Sequence, residues 1–162
     1  MSSTPHTLDG DIPSLTVDTI GRVLAAGLAG LLAWEAFSRF VAPLWIGGPL
    51  DPTGLIEMSL GVTGQAAQLL HLLTGVVLYP AGYVFIVRPA ALRIVPGLPW
   101  PVLGLAYGVG LWVFAMFIMA SVIGGAPAFL GFQDLTWASL VGHVAMATAI
   151  AWAANMLLAR RG

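Results

Sequence analysis

Residues 66–87 read AAQLLHLLTGVVLYPAGYVFIV, a run of 22 residues without an acid, a lysine or an arginine. At 1.5 Å per residue, a helix over this run covers the roughly 30 Å hydrocarbon core of a bilayer. Inside lipid no water reaches the backbone, and a helix satisfies its amides within one segment. Two residues complicate the run. Pro80 cannot donate to the carbonyl of Val76, so a kink is expected there, loosened further by Gly82. His71 is titratable, and a titratable group inside a span is costly enough to be read as a functional candidate.

Outward from this run, three further apolar segments reach the same length: residues 19–41, 102–123 and 136–159. The expected fold is an all-α integral membrane protein, with four transmembrane helices in an up-down bundle. Asp51 followed by Pro52 is a helix-start signature, an N-cap with proline at the first helical position. It predicts a short interfacial helix before the second span. Residues 1–18, MSSTPHTLDGDIPSLTVD, form a polar, acidic tail without the basic-then-apolar order of a signal peptide. Residues 19–162 are expected to form one transmembrane domain.

Composition agrees. Of 162 residues, 59% are hydrophobic and 8% charged, too few charges to cover a water-exposed surface. Net charge is −1 and every basic residue is an arginine, so the electrostatic footprint of a nucleic-acid binder is missing. With no cysteine, disulfides, thiolate metal sites and cysteine nucleophiles are excluded. Arg22, Arg88, Arg93, Arg160 and Arg161 would fall on one side of the membrane and Arg39 on the other. The positive-inside rule then puts both termini in the cytoplasm of a bacterial cell, with the chain multi-pass in the inner membrane.

Four polar residues lie inside the spans: Glu35, Arg39, His71 and His143. His71 precedes Arg88 by the same interval as His143 precedes Arg160, which places both imidazoles roughly 25 Å from that boundary. Glu35, counted from Arg22, comes to about 20 Å, in nearly the same layer. Arg39 is one turn farther along, an i,i+4 partner for Glu35 and able to snorkel. The face of His71 carries Gln68 and Gly75, and that of His143 carries Ser139 and alanines. Small stripes serve close helix approach, as Gly104 and Gly108 would, or leave a slot for a flat molecule.

Three functional readings follow. The first is an accessory subunit of a larger membrane complex, with the lipid bilayer, other membrane subunits or a second copy as partners. The second is an electron-transfer subunit holding one b-type haem, or a quinone, between His71 and His143, with Gln68, Gly75 and Ser139 lining the slot. The third is a proton-linked transporter or small-molecule binder that uses Glu35, Arg39 and the histidines. No Ser-His-Asp order, phosphate loop, HExxH or di-iron carboxylate pattern is present, so no catalytic residue is nominated.

Overall fold

In the computed structural model, which describes residues 11–159, the chain forms four long apolar helices and two short capping elements. We number the helices α1 (Val17–Ile46), α2 (Pro52–Leu60), α3 (Gly64–Ile94), α4 (Trp100–Ile123) and α5 (Asp134–Ala159). Among the described residues there is no strand. The four long helices carry enough length and hydropathy to cross a membrane. Each extends beyond the span expected from hydropathy, because the flanking polar and proline residues continue or cap the helix.

Local chemistry fixes the ends. Thr16 caps α1, its hydroxyl accepting from the Thr19 amide at 3.1 Å. Asp51 caps α2 as its sequence predicts, accepting from the Gly54 amide at 3.0 Å, with Pro52 at the first helical position. Gly47 and Gly61 end α1 and α2 in the left-handed conformation that favours glycine.

Three prolines lie inside the long helices. Pro43, Pro80 and Pro89 do not break their helices; each directly follows a π-helical turn, at Phe37–Val41, Thr74–Leu78 and Tyr83–Val87. The amide before each proline reaches back five residues: Ala42 to Phe37, Tyr79 to Thr74, Arg88 to Tyr83. That longer reach accommodates the proline while keeping the adjacent amide bonded inside the helix. As a result, the segment RPAALRI, past the expected end of the span at residue 87, is helical to Ile94.

Packing is organised by small residues. Gly30 lies against Met146 and Ile150, and Trp34 against Gly142, so α1 and α5 run in opposite directions. Gly104 meets Thr148 and Ala151, and Gly108 meets His143 and Val144, which makes α4 antiparallel to α5. Gly27 packs on the backbone of Val76, while Trp34 reaches His71, so α3 opposes α1. The bundle therefore reads α3–α1–α5–α4, and the α3–α4 edge is not among its closely packed pairs. That seam is closed only toward the terminal end, the end where α1 begins and α3 turns into α4. There the Tyr107 hydroxyl donates to the Tyr79 carbonyl at 2.7 Å and the Tyr83 and Tyr107 rings meet. At the opposite, capped end, α2 bridges α3 and α4.

Gly104 and Gly108 thus serve helix contact. A methyl group at Gly108 would sit 2.6 Å from Val144 Cα and 2.9 Å from the His143 carbonyl, whereas at Gly110 it would meet nothing within 4 Å. Gly108→Ala is expected to cost about 1–3 kcal/mol by overpacking a backbone contact. Gly110→Ala, on the same helix, is expected to be neutral or slightly stabilising. Thermal unfolding of the two variants in one detergent checks the difference, and equal midpoints would refute the contact's importance.

Candidate functional site

Between α3 and α4, behind the open seam, lies a cavity of about 740 Å³. Its floor, toward the terminal end, includes Leu78 and Tyr79. Its back wall is Trp34 of α1 with Ser139, His143 and Met146 of α5. The flanks are His71, Thr74 and Gly75 of α3 and Phe114, Ala115 and Met119 of α4, and its roof includes Leu50, Asp51, Leu55, Ile56 and Met58 together with Leu130. The walls are overwhelmingly apolar, and a volume of this order suits a drug- or cofactor-sized molecule.

Both flanks are π-helical where they meet the cavity. Thr74, Gly75 and Leu78 belong to the proline-linked turn of α3, and Phe114 to Met119 to a ten-residue π segment of α4. In the latter the Ser121 hydroxyl donates to the carbonyl of Met116, five residues back, at 3.0 Å. Gly75 is buried, yet a Cβ built on it would meet nothing within 4 Å. Its backbone therefore faces free space inside the protein.

The two histidines expected at one depth line this one cavity. A single indole links them: the Trp34 ring lies 5.0 Å from His143, edge to face, and 6.5 Å from His71. Trp34 has its place because Gly142, beside His143, has no side chain; a Cβ there would be 2.9 Å from the indole. His143 is only 6% exposed. Its Nδ1 lies 2.8 Å from the Ser139 carbonyl and 3.2 Å from the Ser139 hydroxyl. A carbonyl can only accept, so in the neutral ring Nδ1 carries the hydrogen and Nε2 keeps a lone pair. Nε2 has no hydrogen-bond partner among the described residues and is not sealed off, so it looks onto the cavity. The His71 ring likewise makes no hydrogen bond among the described residues, and Glu35 and Asp51 lie near enough to act on it electrostatically.

Other residues nominated by the sequence fall elsewhere. Gln68 is exposed and outside the cavity: seven residues before Gly75, it shares that side of α3 but lies two turns away along the axis, past His71 toward the capped end. Glu35 and Arg39 form an ion pair at 2.6 Å, but neither lines the cavity, and the Arg39 side chain is 68% exposed. They form a snorkelling pair beside the site. Among the described residues no group of three or more histidines and acids could hold a metal ion. Sequence reasoning missed Trp34, Thr74 and Tyr79; the one signal for Trp34 was its place next to Glu35, in the layer already inferred.

The roof is held by two devices. One is the α2 cap, where the Thr53 hydroxyl, at 2.6 Å, and the Gly54 amide hold the Asp51 carboxyl below its ordinary range. The other is a left-handed turn, with Phe129, Leu130 and Phe132 at φ of 49°, 53° and 56°. Such a backbone costs roughly 1–2 kcal/mol per non-glycine residue. It is held by the Phe129 amide on the Ser121 hydroxyl, the Thr136 hydroxyl on the Phe129 carbonyl, and rings of Trp112, Phe117, Phe132 and Trp137 stacked around it. The turn delivers Leu130 to the cavity.

Because the folded-state pKa of Asp51 is depressed, its contribution is present above the ordinary value of 3.8 and is lost as pH falls through the lower folded value. Amide exchange across α2 is therefore expected to accelerate only as pH drops below about 4. Asp51→Ala should produce the same loosening at neutral pH, by about 1 kcal/mol. A pH-independent exchange rate in the wild type, after correction for intrinsic exchange, would count against the cap. Comparison with known proteins assigns no kinship: no family model matches the chain, and neither a curated protein nor a solved structure matches it significantly.

Proposed function

We propose that the protein is a small multi-pass membrane protein whose working part is the α3–α4 cavity, which takes up a lipophilic small molecule, with His71 and His143 as its polar contacts. The observation that carries this reading is the buried His143 ring, fixed by Ser139 through one nitrogen and offering the other to an apolar space it shares with His71. Orienting one ring nitrogen with a backbone acceptor so that the other can bind is how proteins prepare a ligating histidine. Support for an inner-membrane orientation comes from the arginines: Arg22, Arg88 and Arg93 lie toward the terminal end of the bundle and Arg39 toward the capped end. Both termini then face the cytoplasm. Work within a larger membrane complex is compatible with this, since the cavity is lined by the chain's own helices.

A b-type haem between His71 and His143 is the second reading, favoured by the same held imidazole. Against it, among the described residues no arginine lines the cavity to meet the two propionates, and the one acid that does line it, Asp51, would repel them.

Extraction of the full chain in mild detergent, followed by an absorption spectrum and mass analysis of solvent-extracted small molecules, tests the reading. A lipophilic compound is expected at near-stoichiometric occupancy. Gly75→Leu, which points a side chain into open cavity space, should lower that occupancy at least about tenfold while the protein stays folded. His143→Ala should lower it comparably. Unchanged occupancy in both variants would overturn the proposal, and a Soret band lost with either histidine would decide for haem.

A further inference from the structure

Resting on the cavity reading above, we propose that the ligand is a lipid-soluble hydroquinone, bound in its reduced form and admitted sideways from the bilayer between α3 and α4. Four features of the cavity converge on that chemistry.

The first is hydrogen-bond polarity. With Nδ1 committed to the Ser139 carbonyl, the Nε2 of the neutral His143 ring can only accept. The other polar residues on the wall are Asp51, whose carboxylate only accepts, and His71, Thr74, Tyr79 and Ser139, whose ring or hydroxyl can both donate and accept. A fixed acceptor at Nε2, with further acceptors around it, suits a ligand with two O–H donors. The oxidised quinone has carbonyl oxygens and nothing to donate, so at Nε2 it sets lone pair against lone pair.

The second is charge. Among the described residues no arginine lines the cavity and Asp51 is the one carboxylate that does, which disfavours anions. The occupant is therefore neutral or a cation, and hydroquinones are neutral across the physiological range. The third is shape. The aromatic wall of Trp34 and the bare backbone of buried Gly75 leave room for a flat ring against the helix.

The fourth is access. Over the half of the seam toward the capped end, α3 and α4 are not closely packed, whereas Tyr79 and Tyr107 join them toward the terminal end. Leu78 and Phe114, one on each side of the seam, line the cavity and are 53% and 44% exposed. An apolar mouth on the lipid-facing side of a bundle passes a hydrocarbon tail and leaves the tail in the bilayer while the ring enters.

The test uses the full chain in lipid nanodiscs under anaerobic conditions, with three probes sharing one decyl-substituted ring: the hydroquinone, the quinone and the hydroquinone dimethyl ether. Retained probe is quantified after gel filtration. The hydroquinone is expected to bind at least about tenfold more tightly than either of the others, the penalty for facing an unpaired acceptor. His143→Gln, whose amide both donates and accepts, should bind hydroquinone and quinone within about threefold of each other. Its purpose is the loss of preference rather than of binding, which a merely structural histidine would not produce.

Quinone or dimethyl ether binding as tightly as the hydroquinone to the wild type overturns the inference, with no variant needed. If no ring probe binds but another lipophilic compound or a haem occupies the cavity, the hydroquinone is wrong and the cavity reading stands. If nothing lipophilic binds, and Gly75→Leu alters nothing, both fail.

Discussion

In a bilayer every backbone amide has to find its partner within the protein, and this constraint shapes the molecule more than any single contact. Three prolines inside the long helices would each leave the ladder incomplete. The chain answers each time with a π turn, in which the preceding amide bonds five residues back. A π turn is wider than an α turn and shifts the following residues around the helix axis, so completing the ladder also re-aims side chains. The turn linked to Pro80 carries Thr74, Gly75 and Leu78 to the cavity. Across the seam a second π segment, with Ser121 donating to Met116, presents Phe114 to Met119. The cavity thus lies between two places where the helix geometry has been loosened.

Glycine does the complementary work. Gly27, Gly30, Gly104, Gly108 and Gly142 all bring helices or rings close, and all act through α1 or α5. They concentrate tight packing on the α3–α1–α5–α4 arc and leave the remaining edge open. Lipid supplies no hydrophobic force to close that edge, since hydrocarbon tails cover Leu78 and Phe114 as well as another helix would. An opening of this kind, costly in a water-soluble protein, is stable in a membrane.

Much of the architecture was legible in the sequence, because length and hydropathy decide what crosses a bilayer. The four spans, the Asp51-Pro52 helix and the shared layer of His71 and His143 all follow from counting along the chain. Three things were not legible, each for a physical reason. Helix ends were drawn too short, since hydropathy registers where water begins and says little about where hydrogen bonding stops. The prolines read as interruptions because the π turn that absorbs them depends on the backbone of five preceding residues and has no side-chain signature. Trp34 was missed because its importance lies in what surrounds it: Gly142 on a distant segment gives it room, and its two neighbours are 37 and 109 positions away in sequence. Equal spacing predicted that two histidines share a depth. Rotation about the helix axes decided that they share a space and that Glu35 and Arg39 do not, while Gln68 lies past the cavity along α3.

Of the charged side chains near the cavity, Asp51 lines it and the Glu35–Arg39 pair does not. Glu35 and Arg39 form an ion pair at 2.6 Å beside it without lining it, with the guanidinium free to reach the interface. Had Arg39 pointed inward, the cavity would hold a cation, and anionic ligands would compete for it. As built, its chemistry comes down to a few neutral or accepting groups, and the most constrained of them is His143. The carbonyl of Ser139 has two lone pairs, so it can take the ring proton and the helical amide together. The ring is therefore fixed to a rigid helix, away from the strained turn at Phe129 to Phe132. The acceptor at Nε2 is therefore set within α5, by Ser139 and His143, and not by the elements at the capped end.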